Sequence, residues 1–150
     1  MEKLVEIVLV EDNHFEAELT IKALEKNHLA NKLLHIDDGE EALNFIFCRG
    51  KYHKRVNVPF PKIILLDLKL PKVGGLQILR EIKSTEATKA IPVVILSSSQ
   101  EERDIVESYK LGANSYIVKP VNFESFTKAI TELGLYWLLL NQTQVANRNI

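Results

Sequence analysis

The sequence predicts one α/β domain built on a doubly wound parallel sheet, and three observations carry that expectation. Five short runs rich in Val, Ile and Leu recur along the 150 residues, and segments with helical spacing alternate with them. Three of the runs are apolar almost throughout, as strands covered on both faces must be. A chain of this length suits one domain with a substantial core.

The elements follow in order. VEIVLV (5–10) opens the sheet, and Phe15, Leu19 and Ala23 mark the inward face of a first helix. KLLHI (32–36) is the second strand, followed by a helix with Ala42, Leu43, Phe45 and Ile46 inward. A long connection, CRGKYHKRVNVPFPK (48–62), carries Arg49, Lys51, Lys54 and Arg55, and reads as a solvated basic loop. Its Pro59 and Pro61 predict an extended approach to the third strand, KIILL (62–66). Leu76, Leu79 and Ile82 then define a helix, PVVIL (92–96) a fourth strand, and Ile105, Val106 and Tyr109 another helix. SYIVK (115–119) is the fifth strand, and a last helix starts near Asn122. Right-handed crossovers turn this alternation into a flavodoxin-like (βα)5 sheet of order 2-1-3-4-5, with a crevice outside the carboxyl ends of strands 1 and 3.

Composition narrows the function. With 19 Lys+Arg against 20 Asp+Glu, the net charge of -1 gives no electrostatic reason to favour nucleic acid or an anionic membrane. Cys48 is the only cysteine, so no intrachain disulfide forms. MEKLVEIVLVED has acids on both sides of a short apolar run, unlike a signal peptide, and no segment approaches about 18 consecutive apolar residues. The expectation is a soluble protein of the cytoplasm, with neither nucleic acid nor membrane as partner.

In IILLDLKL (63–70) a carboxylate, Asp67, interrupts an aliphatic run. Burying an ionised acid costs several kcal/mol unless something pairs with it. In the expected strand order Asp67 and the pair Glu11-Asp12 end neighbouring strands, so three carboxylates meet at the switch point. Their mutual repulsion calls for a hard divalent cation held by oxygens, Mg2+ before others. A carboxylate so held can act as nucleophile toward phosphorus. Ser97 and Lys119 end strands 4 and 5 at the same edge, a hydroxyl and an ammonium suited to phosphoryl oxygens.

VLVEDN (8–13), LLDLKLPKVGG (65–75), ILSSS (95–99) and LGANSYIVKP (111–120) together resemble the receiver domain of two-component response regulators, the CheY-like family. The likeness runs from about Leu4 to Leu133, and places a single receiver domain with an extended last helix at 1–140 and a tail at 141–150. It implies that Asp67 accepts a phosphoryl group from a histidine kinase, and that Glu11, Asp12, Asp67 and the backbone carbonyl of Lys69 hold Mg2+. It further implies that Ser97 is the switch hydroxyl, Lys119 the phosphoryl partner, Tyr116 the switch aromatic, and Lys119-Pro120 a cis bond. Glu11 stands where Asp is frequent, Ser97 where Thr is frequent, and Gly74-Gly75 where Asp-Gly or Asn-Gly is usual.

Only 31 residues follow Lys119, too few for an output domain, so the expected protein signals by binding a partner or passing the phosphoryl group on. Phe123, Phe126, Ile130, Leu133, Trp137 and Leu140 are spaced 3, 4, 3, 4 and 3 apart, a heptad seam, and LYWLLL (135–140) is apolar all round. This predicts a homodimer through the last helix, on Phe126, Ile130, Leu133, Tyr136, Trp137 and Leu140. The basic loop, the missing output domain and the aromatic extension resemble, more narrowly, regulators paired with cyanobacterial and bacterial phytochromes, which implies a phytochrome-type kinase. Three other classes fit less of the chain. A haloacid dehalogenase-type phosphohydrolase needs a second acid where Lys69 stands. A flavodoxin-like cofactor binder needs a phosphate-cradling loop where EDNHFEAE (11–18) offers acids. A receiver-like binding module independent of phosphorylation leaves the acceptor set without a purpose.

Overall fold

The computed structural model describes residues 4–26 and 32–134. Five strands, β1 (Ile7–Val10), β2 (Leu33–Ile36), β3 (Ile63–Asp67), β4 (Val93–Ser97) and β5 (Ser115–Val118), form one sheet of order β2-β1-β3-β4-β5 with every neighbouring pair parallel. Five helices connect or flank them: α1 (His14–Glu25), α2 (Gly39–Ile46), α3 (Gly75–Ser84), α4 (Glu102–Lys110) and α5 (Phe123–Glu132). The doubly wound architecture and the strand order are those the sequence predicts.

The near-continuous apolarity of the strands has the expected cause. Ile7, Leu9, Ile63, Leu65, Val94 and Leu96 pack on one face with Ala17 and Leu24 of α1 and Phe126 and Ile130 of α5. Their neighbours Val8, Val10, Ile64, Leu66, Val93 and Ile95 pack on the other with Ala42 and Phe45 of α2 and Ile78 and Ile82 of α3. Alternate residues of one strand therefore enter opposite cores, and neither parity is left for polar side chains.

Several expected details are corrected. In α1 the buried residues are Ala17, Thr20 and Leu24, while Phe15 and Leu19 are exposed. Ala17, Thr20 and Leu24 are three and four residues apart on one face, with Ile21 packed beside them, so Phe15 and Leu19 fall on the other. In α4 the buried residue is Ser108, whose hydroxyl donates to the Asp104 carbonyl at 2.8 Å, and Val106 and Tyr109 are exposed. The basic connection contains a 3-10 segment, Gly50–Asn57, and much of its charge is turned onto α2. The Arg55 guanidinium lies 4.0 Å from the Phe45 ring centroid and is buried, and Lys51 pairs with Glu41 at 3.0 Å. Stacking on the Phe45 ring offsets the burial of Arg55, while Lys51 stays exposed in its ion pair.

The expected dimer face is corrected as well. Phe126 and Ile130 are fully buried in this domain's own core, and Leu133 packs against the same cluster. The sheet beneath α5 takes up the apolar stripe, so Phe126 and Ile130 offer no surface to a second copy. Tyr136, Trp137 and Leu140, and the 141–150 tail, lie outside the described residues.

Candidate functional site

The site is assembled at the carboxyl edge of the sheet. β1 ends at Val10, placing Glu11 and Asp12 between it and α1, and β3 carries Asp67 as its last residue. The register pairs Val10 with Leu66, so the residues that follow are neighbours across the β1–β3 ladder. One carboxylate oxygen from each of Glu11, Asp12 and Asp67 lies within 4.8 Å of the others. Glu11 and Asp67 are buried and Asp12 is exposed, so the trio opens to solvent on the Asp12 side.

Backbone geometry fixes the acids. Asn13 caps α1, its side chain accepting from the Glu16 amide at 2.9 Å, while its own amide donates to Glu11 Oε2 at 3.2 Å. The Glu11 carbonyl lies 2.7 Å from His35 Nε2, which ties β2 to the same turn. Asp67 Oδ1 accepts from the Lys69 amide at 3.3 Å. Gly75 at the start of α3 makes this turn possible. A Cβ there would lie 2.3 Å from the Asp67 carbonyl oxygen, so only glycine lets the helix start so close to the acceptor strand.

Lys119 closes the site from β5, next to a cis bond to Pro120. Its ammonium bonds to Glu11 Oε1, to Glu16 Oε2 at 3.1 Å and lies 3.4 Å from Asp67 Oδ2. Burial pushes the Glu11 carboxyl up to about 7, reinforced by Asp67 and opposed by the Lys119 hydrogen bond. Burial works against the Lys119 cation, but the Glu11 hydrogen bond and the charges of Asp67 and Glu11 outweigh it and raise its pKa.

Ser97 is buried at the end of β4, and its Oγ accepts from the Ser99 amide at 3.0 Å. Ser99 in turn donates from Oγ to Asp104 Oδ2 at 2.5 Å, and its carbonyl accepts from the Tyr116 hydroxyl at 3.0 Å. Ser97, Tyr116 and the start of α4 are therefore joined through one loop residue. Lys69 is exposed beside the acceptor, and the contact it makes with Asp67 is through its amide.

Sequence reasoning missed two participants. Glu16 stands three residues after the N-cap Asn13, in the first turn of α1, and that acid at the helix start was the available signal. His35 lacked one, because its role depends on the β1–β2 register, Leu9 against His35.

A family model for the response regulator receiver domain matches residues 7–131. The chain belongs to that family. Among curated relatives, this receiver is 37% identical over 132 residues to response regulator Rcp1 of Synechocystis sp., covering 88% of both chains. It is 36% identical over 137 residues to the probable methanogenesis regulatory protein FilR2 of Methanothrix harundinacea, covering 91% of this chain and 86% of that one. Among solved structures, the bacteriophytochrome response regulator AtBRR matches with a TM-score of 0.81 and 51% identity, over 93% of this chain and 99% of that one. The Mn(2+)-bound form of Rcp1 matches with a TM-score of 0.72 and 36% identity, over 89% and 94%. The receiver is thus similar to regulators linked by name to phytochromes, as the narrower resemblance implied.

Proposed function

We propose that this receiver accepts a phosphoryl group on Asp67 from the phosphohistidine of a histidine kinase, in a Mg2+-dependent reaction. The observation that carries this reading is the gathering of Glu11 and Asp12 around Asp67, with the Lys119 ammonium 3.4 Å from the Asp67 carboxylate. Their oxygens suit a hard divalent ion, and the relative crystallised with Mn(2+) supports the same choice. Glu11, Asp12, Asp67 and the Lys69 carbonyl would hold Mg2+, which when bound supplies charge neutralisation at the phosphoryl oxygens.

The chain's own groups do the rest. An Asp67 carboxylate oxygen attacks phosphorus; the P–O bond forms as the P–N bond breaks, and the electron pair leaves on the imidazole nitrogen. Lys119 and Ser97, at the ends of β5 and β4, would supply an ammonium and a hydroxyl to the phosphoryl oxygens. Moving Ser97 toward that group would break its bond to the Ser99 amide and disturb the loop that Tyr116 and Asp104 share. That is a direct path from acceptor to α4. Hydrolysis by water returns Asp67 as carboxylate and releases inorganic phosphate, so the chain is a transient acceptor and not an enzyme with a separate substrate.

Exposed Phe15 and Leu19 on α1, beside the site, offer an apolar surface on which a kinase helix would dock. The similarity to bacteriophytochrome response regulators supports a phytochrome-type kinase as donor. Phosphotransfer from phytochrome kinases should exceed that from unrelated histidine kinases; equal rates would remove this partner. The phosphorylated receiver then acts in the cytoplasm by binding a partner or by onward transfer. Pairing of two copies, carried by Tyr136, Trp137 and Leu140, belongs to the same proposal. Light scattering that shows a monomer at micromolar concentration, with and without phosphorylation, would contradict it. Asp67→Asn tests the acceptor itself: labelling by acetyl phosphate should vanish, and persistent labelling would refute the assignment.

A further inference from the structure

Glu16 has no place in the acidic trio, yet its carboxylate reaches the same lysine. A lysine ammonium has three N–H donors. Three carboxylates face Lys119: Glu11, Glu16 at 3.1 Å and Asp67 at 3.4 Å. Glu11 and Glu16 take two of them by hydrogen bonds, and the third faces Asp67 across 3.4 Å. New oxygens on Asp67 therefore find one donor open to them, and gain a second only if an acid gives one up.

Of the three acids, Glu16 is placed to contest that exchange. Its backbone is fixed in the first turn of α1 by the bond from its amide to Asn13, but its side chain is 40% exposed. It borders a cavity of about 210 Å3 with Leu19, Ser98, Pro120 and Val121, so its carboxylate has space to follow Lys119. A negative charge held there acts on Asp67 in two ways of the same sign. It occupies a donor that the phosphoryl group needs, and it repels the phosphoryl oxygens directly.

Building on the acceptor reading above, we propose that Glu16 is a positioning residue that competes with the phosphoryl group for Lys119, and so limits how tightly the site keeps that group. Glu16→Gln keeps the shape and an acceptor oxygen while removing the charge. Its beryllofluoride affinity in Mg2+, measured by titration calorimetry, should rise about two- to fivefold, the scale of a partly exposed ion pair. Glu18→Gln removes the same charge from the same helix, at a residue paired with Lys22, and should leave affinity unchanged. Glu16→Ala should also tighten binding, whereas a residue that merely orients Lys119 would weaken it when truncated. Unchanged or weaker binding in Glu16→Gln, or equal tightening in Glu18→Gln, would overturn the proposal. If the unsubstituted protein binds no beryllofluoride, the acceptor reading itself fails, and its own titration reports that separately.

Discussion

Glu11 shows how one residue links stability to charge in this site. Its carboxyl is held at about 7 against an ordinary 4.5 because burial disfavours the anion. An acid whose folded value is raised contributes stability that is fully present below its unfolded value and is lost as pH rises through the folded one. Glu11→Gln should therefore gain stability relative to the unsubstituted metal-free protein as pH rises from about 4.5 to about 7, by on the order of 3 kcal/mol. Urea unfolding at several pH values checks this, and a difference that does not change with pH would contradict it. The acids themselves were legible in the sequence, because Glu11, Asp12 and Asp67 end apolar runs where charge is costly. The division of labour among them was not. That Asp12 faces solvent while Glu11 bonds to Lys119 depends on side-chain directions that spacing leaves open.

The elements were legible in proportion to how strongly both faces of the sheet constrain them. All five strands stand where their apolar runs lie, with ends shifted by a residue or two; β1, β3 and β4 are buried throughout, and the edge strands β2 and β5 are half-buried. The outer helices α1 and α4 were misread in their facing. Ala17, Thr20 and Ser108 fill their inward positions, and small or hydroxyl-bearing residues do not register as an apolar stripe. The entry to α3 makes a sharper prediction. Gly75→Ala would drive a Cβ into the Asp67 carbonyl, whereas a Cβ at Gly74 meets nothing within 4 Å. Gly75→Ala should lose about 1–3 kcal/mol, the usual range for overpacking, together with phosphoryl labelling, and Gly74→Ala should retain both. Thermal unfolding and labelling of the two variants decide the matter, and equal behaviour would remove the close-approach argument. In α5, Phe126→Ala should cost about 3–5 kcal/mol through cavity formation, since Phe126 is fully buried within its own domain. Loss of self-association without loss of stability in that variant would restore it to an interface.

Across the whole molecule, the parallel sheet brings acids from two strand ends, a serine from a third and a lysine from a fourth to one edge. The order 2-1-3-4-5 does this because β1 and β3 are neighbours although α1, β2, α2 and the long connection lie between them in sequence. That convergence was readable from topology rules, and the family from the resemblance of the motifs at those strand ends. The inward turn of the basic connection was not, since the contact of Arg55 with Phe45 joins residues that no periodic pattern relates. Among the described residues no helix is long and apolar enough to cross a membrane. The central claim is that this edge is a Mg2+-dependent phosphoryl acceptor, and mass spectrometry after incubation with acetyl phosphate tests it most directly. One phosphoryl group mapped to Asp67, present with Mg2+ and absent with a chelator, is the expected result. Labelling that is indifferent to the chelator, or that maps to another residue, would contradict it.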